Sequence, residues 1–359
     1  MGRLDYLREK MAEKGAGAML VSSPIAEEYL TEFQYADGFL AILADKAYLV
    51  TDFRYIEAAE AALKGTDFEA VMAENGSLRH ALGLISEATD KVLFEEEDVT
   101  VSLLERMKKL ADGKLEFLAG ASGIIAEMRK VKDEKELDAI AKAQSITDAT
   151  FTHILNIMTP DMTEREVALE MEYFMRKQGA SGLAFDIIAV SGSASSLPHG
   201  VPRDVKLEKG FLTLDFGAKW GGYCSDMTRT VVIGKADEEM KKLYNTVLAA
   251  QTEALERLKE GFSCREADAV ARAIIDGAGY KGCFGHSLGH GVGRYIHESP
   301  RLSGVAPEGE LLKVGHVVTV EPGIYIAGKY GCRIEDMVAI TTDGIRNFTK
   351  SPKELIELF

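Results

Sequence analysis

The sequence predicts an α/β amino-terminal domain over residues 1–122 and an α+β domain over residues 123–359, the latter an internal pseudo-two-fold repeat. Three observations carry this. The chain has 359 residues, enough for about two domains. Residues 1–120 alternate short β-type runs with helical ones, the order of an α/β domain. Beyond them one order of helices, histidine segment and paired strands occurs twice.

In the first domain, residues 3–14, 54–63, 78–87 and 101–110 carry helical periodicity. Residues 17–22, 38–44, 47–51, 68–73, 91–94 and 115–118 read as strands. Small residues at 119–123 lead into a charged stretch at 129–136, which marks the boundary. The second domain opens with a helix over 134–158, with Leu137, Ile140, Phe151, Ile154, Leu155 and Met158 as its apolar positions, and Pro160 stops it. Thr163 and Glu166 have the spacing of a capping box, in which two side chains satisfy each other's free backbone donors. The scheme returns with a helix over 240–260, Gly261, and a second box at Ser263 and Glu266. Leu197-Pro-His-Gly-Val201 is echoed by Leu288-Gly-His-Gly-Val292. Each half closes with two strands: 211–217 with 222–233 around a turn at 218–221, and 317–326 with 331–341 around a turn at 327–330.

Composition narrows the function. There are 42 Lys and Arg against 57 Asp and Glu, a net charge of −15. A polyanion repels nucleic acid and acidic lipid, so neither a nucleic-acid nor a membrane partner is expected. Bound divalent metals would cancel part of that charge. The four cysteines form no C-x-x-C pair, which fits free thiols in a reducing compartment. The amino terminus is charged throughout, and no apolar run approaches the roughly 20 residues that span a bilayer. The expected location is cytoplasmic.

The paired strands carry the informative acids. In a symmetric antiparallel hairpin, facing residues have a constant position sum. Asp215 and Asp226 would then face each other around a turn centred between Trp220 and Gly221, with Cβ atoms about 5 Å apart. Glu321 and Glu335 would do the same around Gly328. Like charges directly opposite destabilise a sheet, and buried carboxylates ionise together only when something neutralises them. Arg229 and Arg333 offer ion pairing as the plain alternative. Two hairpins matched in position favour metal instead.

Histidine adds to this. Of seven histidines, four fall between His286 and His316. His286 and His290 have a helical zinc-motif spacing, but Gly289, Gly291 and Gly293 argue against a helix. Glycine lets backbone approach a ligand closely, and His290 is the histidine expected to join the acids. Four carboxylates and one imidazole suit Mn²⁺ first, with Co²⁺, Fe²⁺ or Zn²⁺ able to fit. Four negative charges balance two divalent ions. Such a pair, about 3.5–4 Å apart, acidifies a shared water and polarises a carbonyl, which is hydrolytic chemistry.

The stretches Leu214-Asp-Phe-Gly…Ser-Asp-Met-Thr-Arg-Thr230, Leu288-Gly-His-Gly-Val-Gly293 with His297-Glu298, Val320-Glu-Pro-Gly323 and Cys332-Arg-Ile-Glu-Asp336 resemble the signatures of the pita-bread-fold metallopeptidases. Within that family the chain looks like the Xaa-Pro branch, the aminopeptidase P and prolidase group. Tyr29-Leu-Thr…Ala36-Asp-Gly38 and Thr51-Asp-Phe-Arg-Tyr55 are similar to that branch's creatinase-type amino domain. The resemblance implies that Asp215 chelates one metal, Asp226 and Glu335 bridge both, and His290 and Glu321 hold the other. It assigns proton transfer to Glu321 and steadying of the tetrahedral intermediate to His199. It places His297 on the proline side of the scissile bond, and gives Arg333 a site carboxylate or the substrate's carboxyl group. The implied substrates are peptides with proline in second position, and the implied assembly is a homodimer.

A bond before proline is a tertiary amide without an N–H, so a peptidase that reads that N–H fails on it. The imino leaving group needs a proton, which His297 or Glu321 could supply. Ser191-Gly-Ser-Ala-Ser-Ser196 departs from the Asn-containing stretch of the family and leaves the contacts there open. Asp37 and Arg54 are candidates to reach a site across a dimer, or a turn residue and a surface charge. Two other readings share the fold: a creatinase-like hydrolase working without metal, and a non-catalytic binding protein. The complete acid set argues against both.

Overall fold

The computed structural model describes residues 2–33 and 37–359. Ala36 of the creatinase-like stretch lies outside them. The chain divides into two units, Met1–Arg129 and Lys130–Phe359.

The amino unit runs α1 (Arg3–Glu13), β1 (Ala18–Val21), α2 (Pro24–Thr31), β2 (Gly38–Leu43), β3 (Ala47–Thr51), α3 (Ile56–Leu63), β4 (Glu69–Met72), α4 (Ser77–Ala88), β5 (Lys91–Phe94), α5 (Val101–Ala111), β6 (Glu116–Ala119) and α6 (Ala121–Lys130). Its six strands lie in the order β4-β3-β2-β1-β5-β6. Helices α2 and α6 were not expected. α2 is eight residues long, too short for periodicity to show, although Ser23 caps it and Pro24 starts it. α6 replaces the expected linker: Ala121, Ile124 and Ile125 are buried in the amino unit's core, so the division falls after Arg129 rather than after residue 122.

The acidic run Glu95-Glu96-Glu97-Asp98 has a structural use. Glu95 accepts the backbone N–H groups of Ser22 and Ser23 at 2.6 and 2.8 Å, at the start of α2. Glu96 accepts those of Gly120 and Ser122 at the start of α6. Carboxylates are favoured at helix N-termini, where backbone donors lack partners. Among the described residues Glu27 has no such partner. It is 3 % exposed, and its Oε1 makes no hydrogen bond to them. Burial, with the charges of Glu95, Asp37 and Asp98, pushes its carboxyl from 4.5 up to about 9. The folded unit thus keeps a proton that the unfolded chain releases. Stability present below the unfolded value is lost as pH climbs toward the folded one. Glu27→Gln is expected to stabilise the unit by on the order of 2 kcal/mol at about pH 7. The shift in denaturant midpoint should widen between about pH 5 and pH 9, and a constant shift would refute the assignment.

The second unit opens with α7 (Glu134–Ile157) and α8 (Glu164–Lys177), followed by β7 (Gly182–Leu183), β8 (Ile188–Ser191), a 3-10 turn at Gly192–Ser196, β9 (Gly210–Phe216), β10 (Ala218–Trp220), β11 (Tyr223–Cys224) and β12 (Met227–Ile233). It continues with α9 (Glu238–Arg257), α10 (Cys264–Ile275), a π-turn at Asp276–Tyr280, β13 (Gly289–Gly291), β14 (Glu298–Leu302), β15 (Val317–Val320), β16 (Gly323–Ile326), β17 (Tyr330–Arg333), β18 (Asp336–Thr341), β19 (Gly344–Asn347) and β20 (Glu357–Leu358). Each half is a helix pair followed by a sheet. The first sheet has the order β20-β12-β9-β8 and the second β14-β13-β15-β18-β19. Strands β8-β9-β12 of one half correspond in order to β13-β15-β18 of the other. The helices bury one face: Val167, Met171 and Met175 of α8 repeat every four residues and are sealed from solvent, worth about 1.5–3 kcal/mol each. The capping box at Thr163 and Glu166 forms in full. At Ser263 only the bond from the Glu266 N–H to the hydroxyl is made, at 3.4 Å.

The first hairpin corrects the expected register. Asp215 pairs with Thr228, not Asp226. Lys219 pairs with Cys224 and Trp220 with Tyr223, so the turn is Gly221-Gly222, with φ of 57° and 80°. A two-residue hairpin turn of this kind needs positive φ at both central positions, which glycine supplies without strain. The ladder therefore slips by two residues relative to the expectation. An even slip preserves the face, so Asp226 stays on the side of Asp215 and lies diagonal to it. The second hairpin keeps the expected register. Val320 pairs with Asp336 and Gly323 with Arg333, which sets Glu321 and Glu335 opposite each other in the gap between two ladders. Gly328 sits at its turn with φ 71°.

Candidate metal centre and active site

The four acids and His290 converge. His290 Nε2 lies 3.3 Å from Glu321 Oε1 and 3.6 Å from Asp226 Oδ2. Asp226, His290 and Glu335 each offer a ligand atom within 4.8 Å of the others. Asp215 joins them through its charge, which acts on Asp226, Glu321 and Glu335. All are buried except Glu321, which is partly so. His290 reaches the acids because β13 is threaded between β14 and β15. A Cβ on Gly289 would strike the Thr319 carbonyl, and one on Gly291 the Ser299 carbonyl. Only glycine permits that approach, which explains why a helical spacing of histidines here forms a strand.

The electrostatics are those of a site short of positive charge. Burial first, then the neighbouring acids, pushes Asp226 and Glu335 well above the usual carboxylate range. Burial pushes Glu321 up to about 8. His290 is pushed down to about 4, chiefly by burial, so its ring is neutral. Its Nδ1 lies 3.0 Å from the Gly291 carbonyl, which can only accept. The proton therefore sits on Nδ1, and Nε2 turns a lone pair toward the acids, the tautomer a metal ligand requires. The Oδ1 of Asp215 is buried without a hydrogen-bond partner among the described residues. These features fit divalent cations: converging carboxylates, an imidazole lone pair and an orphaned oxygen.

The arginines divide the work. Arg333 Nη2 donates to Asp215 Oδ2 at 2.5 Å, so it takes a site carboxylate. Arg229 is engaged elsewhere, paired with Asp336 at 2.8 Å and donating to the carbonyls of Thr228 and Glu335. Ion pairing thus neutralises one of the four acids and leaves three. Threonines orient two of them. Thr228 donates to Glu335 Oε2 at 2.7 Å, and Thr319 donates to Glu321 Oε1 at 3.1 Å while accepting the His290 N–H.

His199 and His297 are both exposed. The His297 ring packs edge-on against His290 at 4.4 Å. His199 lies near enough that its charge, after burial and Arg301, lowers the His297 pKa. Asp37 and Arg54 form an exposed ion pair in the amino unit, where Arg54 also grips Asp52.

Three residues were not assigned a role from sequence. Tyr325 accepts from Arg333 Nη1 at 2.6 Å and lies 3.0 Å from His286 Nε2. His286 Nδ1 faces the Ser287 carbonyl at 2.9 Å, so Tyr325 donates to the bare Nε2. A chain His286–Tyr325–Arg333–Asp215 results. Its sequence trace is slight: His286 was visible only as a histidine four residues before His290. Arg301 sits across from His290 in the β13–β14 register, so the two side chains share a face. It is exposed, and its charge lowers the pKa of His297. It has no hydrogen-bond partner among the described residues.

The model of metallopeptidase family M24 matches residues 138–342, and that of the creatinase/prolidase N-terminal domain matches residues 3–131. The chain belongs to metallopeptidase family M24. Its fold is accordingly a creatinase-type α/β domain followed by a pita-bread α+β domain, as the motifs implied. It is similar to an Xaa-Pro dipeptidase of Pyrococcus furiosus, 36% identical over 99% of both chains. Among solved structures it resembles an Xaa-Pro dipeptidase from Bacillus anthracis, with TM-score 0.94 and 40% identity over 99% of each chain. It also resembles an X-Pro aminopeptidase from Thermotoga maritima, with TM-score 0.88 and 36% identity over 100% of each. The M24 peptidase carries no helix among the described residues that is long and apolar enough to cross a membrane.

Proposed function

We propose that this M24 peptidase is a dinuclear, manganese-preferring Xaa-Pro dipeptidase. Asp215, Asp226, His290, Glu321 and Glu335 would hold the metals, and the oxygen-rich set supports manganese as the preferred ion. When bound, two such cations supply Lewis acidity to the scissile carbonyl and acidify a water. The remaining work falls to the protein. Glu321 takes a proton from the attacking water and delivers it to the prolyl nitrogen, which departs as a secondary amine. The water's oxygen stays on the carbonyl carbon as the new carboxylate. His199 donates to the carbonyl oxygen as the carbon becomes tetrahedral. His297 walls the proline side.

The observation that carries dipeptide preference is Arg301. A guanidinium without a hydrogen-bond partner among the described residues, beside the histidine of the proline side, suits the free carboxylate that a dipeptide places one residue beyond the scissile bond. In a longer peptide that position is an amide, and the charge pair is lost. Gly-Pro hydrolysis with manganese added should exceed that of a longer peptide with proline second. Arg301→Ala should lower kcat/KM for the dipeptide about 100-fold, mostly through KM, since a charge-assisted pair is worth about 2–3 kcal/mol. The longer peptide should change little. Equal losses on both substrates would rule the assignment out. The four free cysteines support a reducing, cytoplasmic setting. A homodimer completes the reading, with sedimentation equilibrium as its check.

A further inference from the structure

The histidine-bearing segments of the two halves are held in the same manner, by residues outside the acid cluster. In the first half, Glu164 at the start of α8 is fully buried. Its carboxylate accepts the Ser191 N–H at 2.7 Å and the Ser191 hydroxyl at 2.8 Å. It also accepts from Arg203 three times: from N at 2.9 Å, Nε at 2.9 Å and Nη2 at 2.6 Å. Ser191 and Arg203 are the two ends of the segment that carries His199. One carboxylate therefore closes that loop. Arg203 Nη2 also donates to the Ser191 carbonyl at 3.2 Å and to Glu208 at 3.1 Å. Burial opposes the Glu164 charge, but the Arg203 and backbone donors outweigh it and hold the group ionised. Further along the loop, the Ser195 hydroxyl accepts the Gly331 N–H at 3.1 Å, and the Pro198 carbonyl accepts from Arg333 at 3.4 Å. The serines that depart from the family's Asn-containing stretch thus anchor the loop.

In the second half, Asp268 of α10 is buried and paired with Arg272 through both of its oxygens, each at 2.9 Å. Asp268 accepts the Leu288 N–H at 3.0 Å. Arg272 donates to the carbonyls of Phe284 at 2.7 Å and His286 at 2.9 Å. Three backbone groups of the loop leading into β13 and His290 are pinned from one helix. Both pairs satisfy backbone groups that would otherwise be stranded in the interior, at full charge-assisted strength.

We propose that each half sets its histidines with a buried carboxylate–guanidinium clamp, Glu164–Arg203 for His199 and Asp268–Arg272 for His286 and His290. These four are positioning residues, and the inference rests on the peptidase reading above. The clamps act on different targets, so they leave different signatures. The first shapes the group that meets the substrate and reaches the acids only through the long Pro198–Arg333 bond. The second shapes the approach of a metal ligand.

A double-mutant cycle tests this on the manganese-loaded full chain. Glu164→Gln should lower kcat about 30-fold with KM nearly unchanged and calorimetric manganese affinity intact, the size usual for loss of an outer-shell support. Arg203→Lys should recover part of that loss. In a His199→Ala background Glu164→Gln should cost less than about threefold, because the group it positions is gone. An undiminished loss in that background overturns the clamp while leaving the role of His199 standing. Full activity of His199→Ala overturns both. If Glu164→Gln does not fold, Ser191→Ala, which removes the hydroxyl bond to Glu164 at one end of the loop and leaves the backbone bond, takes its place in the cycle with a smaller expected loss. Asp268→Asn should instead weaken manganese binding about tenfold, read by calorimetry independently of turnover. Unchanged manganese affinity there overturns the second clamp.

Discussion

Asp226→Asn and His290→Ala are each expected to lower kcat/KM by about 10³-fold or more, some 4 kcal/mol of transition-state stabilisation. Elemental analysis should show the metal content falling with activity. The two variants should part company in stability. Asp226 is buried among Glu335, Asp215 and Glu321, and its ionised form is crowded on three sides. The neutral amide relieves that crowding. In the presence of chelator, Asp226→Asn should therefore unfold at a higher temperature than the parent, while it hydrolyses nothing. His290→Ala removes a ring packed against His297 and opens a cavity, so it should unfold lower. Activity lost alongside stability gained is the mark of residues kept for function. An Asp226→Asn protein with normal metal content and turnover would refute the metal centre.

The second large effect is the response to metal and pH together. Without metal, burial raises Glu321 from 4.5 to about 8, and Asp226 and Glu335 are raised well above their ordinary values. Each is protonated in the folded state where the unfolded chain has already ionised. The stability they allow is complete below about pH 4.5 and is lost as pH rises through about 8. The chelated protein should thus lose several kcal/mol over that window. Manganese reverses the trend, because ligands bind as the deprotonated forms and binding is folded-state stabilisation. The rise in Tm on adding manganese should be several-fold larger near pH 8 than near pH 5. Calorimetric titration in buffers of different ionisation enthalpy should show about one proton or more released per chain at neutral pH. An equal Tm gain at both pH values, with no proton release, would mean that the acids do not hold the ion.

Much of this architecture was legible because it rests on local chemistry. The turn glycine of the second hairpin set its register, and Glu321 and Glu335 came out opposite as counted. The first hairpin differs by two residues in register because its turn centres between Gly221 and Gly222 rather than between Trp220 and Gly221, and the Gly-Gly signal is present in the sequence. The acids still met, because an even slip keeps the face. Helix α6 reads as a linker in the sequence because the small residues at 119–123 mask Ile124 and Ile125, whose burial ties it to the amino unit.

By itself, the sequence determined the α/β and duplicated α+β organisation, the four acids with His290, and the family. Periodicity of two, capping boxes and turn glycines are properties of near neighbours along the chain, and they can be counted. Only the tertiary structure decided which arginine answers which acid, that Tyr325 links His286 to Arg333, and that Arg301, without a hydrogen-bond partner among the described residues, faces His290 across the β13–β14 ladder. Those contacts join different strands and loops. Charge and burial depend on what packs alongside, and linear order does not carry that information.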